Sequence, residues 1–206
     1  MTYNRRMDVY RGVTDEKKHD LTPKIGRVTL LPRRTLGNTE RLIIRRFRER
    51  ALPYLDFIPR TGWDWLALAQ HFGLPTRLLD WTRNPLVALY FAVEQKSDHD
   101  SAVYVLKGQN MLSTDDYPDP FRYPKVGKFV PDRITPRITA QMGLFTVHPE
   151  PDKVFRSEKV EKMVIPNKLR EDLKRILDTY GINRATLFPD LDGLSSHITW
   201  QLTKIY

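Results

Sequence analysis

An α+β fold with a mixed or antiparallel sheet core and flanking helices is the architecture this sequence predicts, on three observations. Short runs of strand composition alternate along the chain with longer segments that carry helix caps and helical apolar spacing. No Pro/Gly/Ser-rich linker separates them, so residues 1–206 read as a single domain. The composition is that of an ordinary globular chain, 40% hydrophobic and 29% charged with 10 glycines. Folding a chain of this size removes roughly 25,000 Å² from water, which leaves room for a few buried polar groups in the core.

Each element has its own signal. "DVYRGV" reads as a strand, and "RVTLLPR" as a second short strand or the approach to a helix. In "NTERLIIRRFRER", Asn38 or Thr39 can cap a helix that turns Ile43, Phe47 and Ala51 inward. Thr61 with Asp64 three positions on forms a variant capping box, and the helix it opens runs through "WLALAQHF" to Gly73, which suits a left-handed position. "PTRLLDWT" reads as a loop. Asn84 then caps, and Pro85 starts, the helix "PLVALYFAVEQ", apolar nearly all round and so expected at the centre of the domain. "SAVYVL" and "EKMVI" are strands, and "RITAQMGLFTVH" reads as one more. The proline-rich segment from Ser113 to Arg133 is a long loop, the kind that serves as a lid or binding segment. Asn167 to Tyr180, ended by Gly181, is an amphipathic helix burying Leu169, Leu173, Ile176 and Leu177. A last helix starts near Asp190 and carries Leu191, Leu194, Ile198 and Leu202.

Several function classes drop out. The longest apolar stretch, Pro85 to Val93, is far too short to span a bilayer, and "MTYNRRMDVYRG" lacks the apolar core of a signal peptide, so no membrane partner and a cytoplasmic location are expected. Zero cysteines exclude disulfides, thiolate nucleophiles and cysteine-ligated zinc, and five scattered histidines show no ligand spacing, so no metal is expected. The net charge of +9 brings nucleic acid into consideration. Arg41, Arg45 and Arg48 share one helix face, which reads either as a solvated surface or as a phosphate contact.

The densest polar chemistry lies in "HFGLPTRLLDWTRNPLVALYFAV". His71 sits in the last turn of its helix, and Arg77, Asp80, Trp81 and Thr82 follow within six positions of one another. An Arg77–Asp80 pair can simply fix a loop. Because buried ion pairs add little net stability, the same cluster is equally a site candidate.

"VYRG", "AQHFGLPTRLLDWTRNPLVALYFAV", "RITAQMGLFTV" and "TLFPDLDGLSSHI" together resemble the FRG domain family, whose Phe-Arg-Gly motif reads Tyr10-Arg11-Gly12 here. That resemblance implies a domain of a kind widespread in bacteria and phages. A second resemblance is to ADP-ribosyltransferases of the Arg-Ser-Glu type, and it implies an ADP-ribosyltransferase-like fold. Arg11 matches the arginine of their first strand, "DWTRNPLVALYFA" has the layout of their hydroxyl strand and following helix with Thr82 as the matching hydroxyl, and Gln141 stands where the family carries its glutamate. The implied substrate is NAD. Arg11 would meet the dinucleotide with Tyr10 and Gly12 beside it, Trp81 or Phe91 would stack on nicotinamide or adenine, and His71, Arg77 and Thr82 would complete the pocket. Gln141 or Asp80 would act at the reacting ribose.

Three functions follow as expectations: an ADP-ribosyl-transferring or NAD-cleaving enzyme, as in a toxin or phage-defence effector; a non-catalytic module binding a nucleotide or, through Arg41, Arg45 and Arg48, a nucleic acid; and a protein-interaction domain whose polar cluster fixes a loop. The absence of a carboxylate at Gln141 separates the first two, since cleaving the nicotinamide–ribose bond develops positive charge that a carboxylate stabilises.

Overall fold

In a computed structural model of the chain, which describes residues 8–131 and 135–203, six strands form one antiparallel sheet. The strands are β1 (Val9–Val13), β2 (Leu78–Thr82), β3 (Ser101–Leu106), β4 (Gly127–Phe129), β5 (Gly143–Val147) and β6 (Val160–Ile165), arranged in the order β4-β5-β2-β1-β3-β6. Among the described residues the helices are α1 (Leu36–Ala51), α2 (Gly62–His71), α3 (Pro85–Val93), α4 (Pro136–Ala140), α5 (Arg170–Thr179), α6 (Arg184–Leu187) and α7 (Leu191–Leu202). None of them is long and apolar enough to cross a membrane. The α+β class with an antiparallel sheet is as expected. The opening residues 1–7 and the segment 132–134, which includes the end of the expected loop at Arg133, lie outside the described residues.

Local chemistry explains most boundaries. The capping box at the start of α2 is formed, with Thr61 Oγ1 accepting from Asp64 N and Asp64 Oδ2 accepting from Thr61 N. Gly73 follows at φ +80° and ends that helix. Asn84 Oδ1 accepts from Leu86 N and Pro85 takes the first position of α3. Gly181, at φ +72°, ends α5. The cap of α1 is Thr35, three residues earlier than Asn38 and four earlier than Thr39; its side chain accepts from Asn38 N and draws the helix start upstream. "RVTLLPR" takes the second of its two readings and leads irregularly into α1.

Two expectations are corrected. "PTRLLDWT" is not a loop: its last five residues form β2, a strand at the middle of the sheet that pairs residue by residue with β5. "RITAQMGLFTVH" is not one strand. Pro136 and the Thr135 cap start α4, Gln141 closes it, Met142 turns the chain at φ 48°, and only Gly143–Val147 pairs. The Ser113–Arg133 segment also contains β4, so it is anchored to the sheet edge.

Helices cover one face of the sheet in two groups. Over β2, β5 and β4, α1 and α2 bury Ile44, Trp63, Leu66, Leu78, Phe145 and Val147. Over β1, β3 and β6, α3 packs with α5 and α6 around Val87, Ala92, Val103, Ile165, Leu177 and Leu187. The approach of α3 is set by Gly12, where a Cβ would lie 1.9 Å from the backbone oxygen of Ala88. On the other face Val9, Leu79, Trp81, Leu106 and Leu144 are closed over by Leu21 and Phe155 from the connections. In α1, Ala51 is buried and Phe47 packs at the edge of the core as expected, but Ile44 goes deeper than Ile43. Leu177 of α5 is buried, while Ile176 and Leu169 are exposed; Leu191, Leu194, Ile198 and Leu202 of α7 also face outward.

Candidate functional site

The two helix groups leave a gap above the centre of the sheet. It lies where β1 and β2 stop pairing: the two strands share a single register pair, Tyr10 with Thr82. Arg11 fills the resulting break, its Nη1 donating to the backbone oxygen of Asp80 at 2.9 Å and to Asp80 Oδ2 at 3.3 Å. A cavity of about 510 Å³ opens here, within the usual size of small-molecule sites.

Nine of the ten predicted site residues line this cavity: Tyr10, Arg11, Gly12, His71, Asp80, Trp81, Thr82, Phe91 and Gln141. They come from β1, the end of α2, β2, α3 and the turn after α4. Arg77 does not line it. Its guanidinium is buried against α1, where Nε and Nη2 donate to Glu40 Oε2 at 3.0 and 2.8 Å while the Arg77 backbone N donates to Glu40 Oε1 at 2.7 Å. The expected Arg77–Asp80 pair is therefore replaced by two separate pairs, Arg77 with Glu40 and Arg11 with Asp80. Arg77 precedes β2 and lies beside α1, where Glu40 accepts from both its backbone N and its guanidinium, whereas Asp80 sits at the break between β1 and β2, where Arg11 reaches it.

Several of the lining side chains are already engaged. Trp81 is 3% exposed, with Nε1 donating to Thr146 Oγ1 at 2.8 Å, so its ring belongs to the core, and Phe91 and Tyr10 are the half-buried aromatic walls. Thr82 Oγ1 donates to the backbone oxygen of Gln141 at 2.7 Å and accepts from Asn84 N at 3.0 Å. Gln141 Nε2 donates to Leu187 O at 3.1 Å. Asp80 keeps an exposed carboxylate, with Gln70 Nε2 donating to its Oδ2 at 2.8 Å.

Sequence reasoning missed Gln70, Glu94 and Arg137, all in the cavity wall. Glu94 had a signal, being the lone acid that ends an otherwise apolar helix. Burial raises its carboxyl above the usual range, while Arg184, Lys174 and Arg137 pull it back. Burial also lowers His71, with Arg137 adding to the effect and Asp80 opposing it, so the imidazole is biased toward its neutral form. The wall thus combines guanidinium groups, the carboxyls of Asp20, Asp80 and Glu94, and aromatic rings of which Tyr10 and Phe91 are the half-buried ones. That set suits a ligand carrying negative phosphates, a planar base and a centre that turns positive during reaction.

The basic face of α1 stands apart from this cavity and borders a shallow groove. Arg41 pairs with Asp119 at 3.3 Å and lies over the Phe121 ring at 4.4 Å, Arg45 pairs with Glu49 at 3.7 Å, and Arg48 lies over Trp65 at 5.4 Å. Among the described residues no group of three His, Asp or Glu side chains is placed to hold a metal ion.

Comparison with known proteins adds one match. No curated protein and no solved structure matches the chain. The match is to the FRG domain family, over residues 6–101, a span that holds the Tyr10-Arg11-Gly12 triplet and the whole central stretch from His71 to Val93, whereas "RITAQMGLFTV" and "TLFPDLDGLSSHI" fall beyond it. With that triplet at the break between β1 and β2 and the central stretch supplying the adjoining wall, the chain carries an FRG domain.

Proposed function

We propose that this cavity binds NAD and that the protein transfers its ADP-ribosyl group or cleaves it at the nicotinamide–ribose bond. The observation that carries the reading is the convergence of Arg11, Asp80 and Gln141, from three separate elements, on one cavity of about 510 Å³. Arg11 and Arg137 supply positive charge for the diphosphate, and Phe91 and Tyr10 offer rings to a planar base. Asp80 takes the electrostatic role that a neutral Gln141 cannot. As the bond from the anomeric carbon to nicotinamide breaks, the electron pair leaves with the ring nitrogen and the sugar turns positive beside a carboxylate. An acceptor oxygen or nitrogen then bonds to that carbon and gives up its proton to the same carboxylate. Gln141 is a hydrogen-bonding partner for a ribose hydroxyl.

The test is calorimetric titration of the chain with NAD, coupled to an assay for free nicotinamide. Wild-type protein should bind and release nicotinamide; Asp80→Asn should bind and release roughly a hundredfold less, the scale on which single preorganised groups act; Arg11→Ala should lose binding. Binding without release in the wild type would leave the non-catalytic nucleotide-binding module as the better reading. No binding at all would overturn both.

A further inference from the structure

The shallow groove beside α1 has a volume of about 790 Å³ and lies between that helix and the turn at 118–121. Its floor is apolar: Ile44 and Trp65 are buried there, while Leu52 and Ile58 are 49% and 66% exposed, side chains that a soluble surface has no reason to gather in one place. Its charge is one-sided. The cations of α1 are five exposed arginines, Arg41, Arg45, Arg46, Arg48 and Arg50, with no lysine among them. Against them stands one exposed acid, Glu49, because Glu40 is buried and neutralised by Arg77. Arg41, Arg45 and Arg48 border the groove in a row about 10 Å long on the helix axis. Arg41 lies over the Phe121 ring and Arg48 over the Trp65 ring. The ion pairs of the row are exposed and loose, Arg41 with Asp119 at 3.3 Å and Arg45 with Glu49 at 3.7 Å. Pairs of this kind contribute little, so an incoming anion displaces the carboxylates at small cost.

We propose that this groove binds a single strand of nucleic acid, with successive phosphates on Arg41, Arg45 and Arg48 and the bases over the apolar floor. Arginine forks match phosphate oxygens, and a base stacks on a guanidinium plane as it does on a ring. A charged row beside apolar and aromatic surface is the arrangement that holds a strand without reading its sequence. Two other partners fit less well. A duplex keeps its bases stacked inside and would leave the floor uncovered. The side chains of an acidic peptide bring only hydrogen-bond acceptors to a wall that already holds Glu49 and Asp119, whereas bases also bring amino donors, which a carboxylate accepts. The site stands on α1 and its surroundings and does not depend on the NAD reading of the larger cavity.

The experiment is fluorescence anisotropy of the full chain with labelled oligonucleotides of mixed sequence: a DNA strand, the RNA strand of the same sequence, and the DNA duplex. Both single strands should bind at least tenfold tighter than the duplex, and the tighter of the two identifies the sugar. Three phosphate contacts on a single strand predict a roughly twentyfold loss of affinity between about 50 and about 200 mM salt. The triple variant Arg41→Gln, Arg45→Gln, Arg48→Gln should remove most of that salt dependence and weaken binding at low salt tenfold or more, with the far-UV circular dichroism unchanged. Arg45→Gln alone, at a side chain 71% exposed, keeps the fold if the triple variant does not and should cut the salt dependence by about a third. A control with the same loss of charge away from the groove, Lys17→Gln, Lys96→Gln, Lys168→Gln, separates the groove from the net charge of +9 and should bind as the wild type does. The proposal is overturned if no strand binds, if the duplex binds as tightly as the single strands, if the control weakens binding as much as the groove variants, or if polyglutamate displaces the strand at equal charge concentration.

Discussion

Arg77 and His148 show how a polar residue in a core is held by one partner set and exposed by its loss. Glu40 is fully buried and accepts three hydrogen bonds from Arg77, so either residue alone would be an uncompensated buried charge. Arg77→Ala should lower the unfolding free energy by about 3 kcal/mol in urea titrations, while NAD binding per folded molecule stays unchanged because Arg77 does not line the cavity. His148 is 3% exposed, and burial, with Arg11 adding to it, pushes its imidazole down to about 3. Trp81 Nε1 donates to Thr146 Oγ1, and the threonine hydroxyl is then free to donate to a neutral His148 Nε2 at 2.8 Å. The native state therefore refuses a proton that the unfolded chain accepts below about 6.5. Stability contributed by His148 is complete above that value and is lost as the pH falls from 6.5 toward 3, by about 1.4 kcal/mol per pH unit. Melting curves between pH 7 and 4.5 should be steeper in pH for the wild type than for His148→Gln by that increment.

At the scale of elements, α3 depends on the absence of a side chain at Gly12. A methyl group there would meet the Ala88 carbonyl oxygen at 1.9 Å and the Ala92 nitrogen at 2.6 Å, both backbone atoms of a helix that cannot yield locally. Gly12→Ala should therefore destabilise by about 3 kcal/mol, which in a chain of this length lowers the melting temperature by roughly 6–12 °C. An unshifted melting temperature would mean that α3 does not rest on β1. Element boundaries that rest on local chemistry were legible: Thr61 with Asp64, Asn84 with Pro85, Gly73 and Gly181 each act within one turn. β2 was not legible, because "RLLDWT" interleaves Asp80 and Arg77 with apolar residues, and only pairing with β5 on one side and β1 on the other makes that run a strand. The stretch at Gln141 failed for a related reason. Its apolar residues suit either period, and Pro136 with the Thr135 cap decides for a helical turn that reverses at Met142.

For the molecule as a whole, the cavity spans both helix groups and the strand break, so a ligand there would tie α2, α3 and the turn after α4 together. NAD at a hundred times its dissociation constant should stabilise the fold by about 2.7 kcal/mol, or roughly 5–10 °C in melting temperature. Arg11→Ala should abolish that shift, and a shift surviving in the variant would place the ligand elsewhere. Of the site itself, the residue types and their chain order were readable from "VYRGV" through "DWTRNPL" to "TAQMG", yet Glu94, Gln70 and Arg137 were not, because nothing in a linear chain says which of many carboxylates, amides and guanidinium groups a fold will gather.

The sequence by itself determined the α+β class, the caps of α2 and α3 and the stops of α2 and α5, since these follow from periodicity and short-range hydrogen bonding; the grouping of Arg11, Asp80 and Gln141 came only as an implication of a family resemblance. Only the tertiary structure decided that Arg77 answers to Glu40 and Arg11 to Asp80, that Trp81 is a core residue, and that a cavity opens where two central strands part. Those outcomes depend on which groups are brought within a few ångströms across gaps of 37 to 69 residues, and hydrogen bonds and Coulomb forces act on that distance alone.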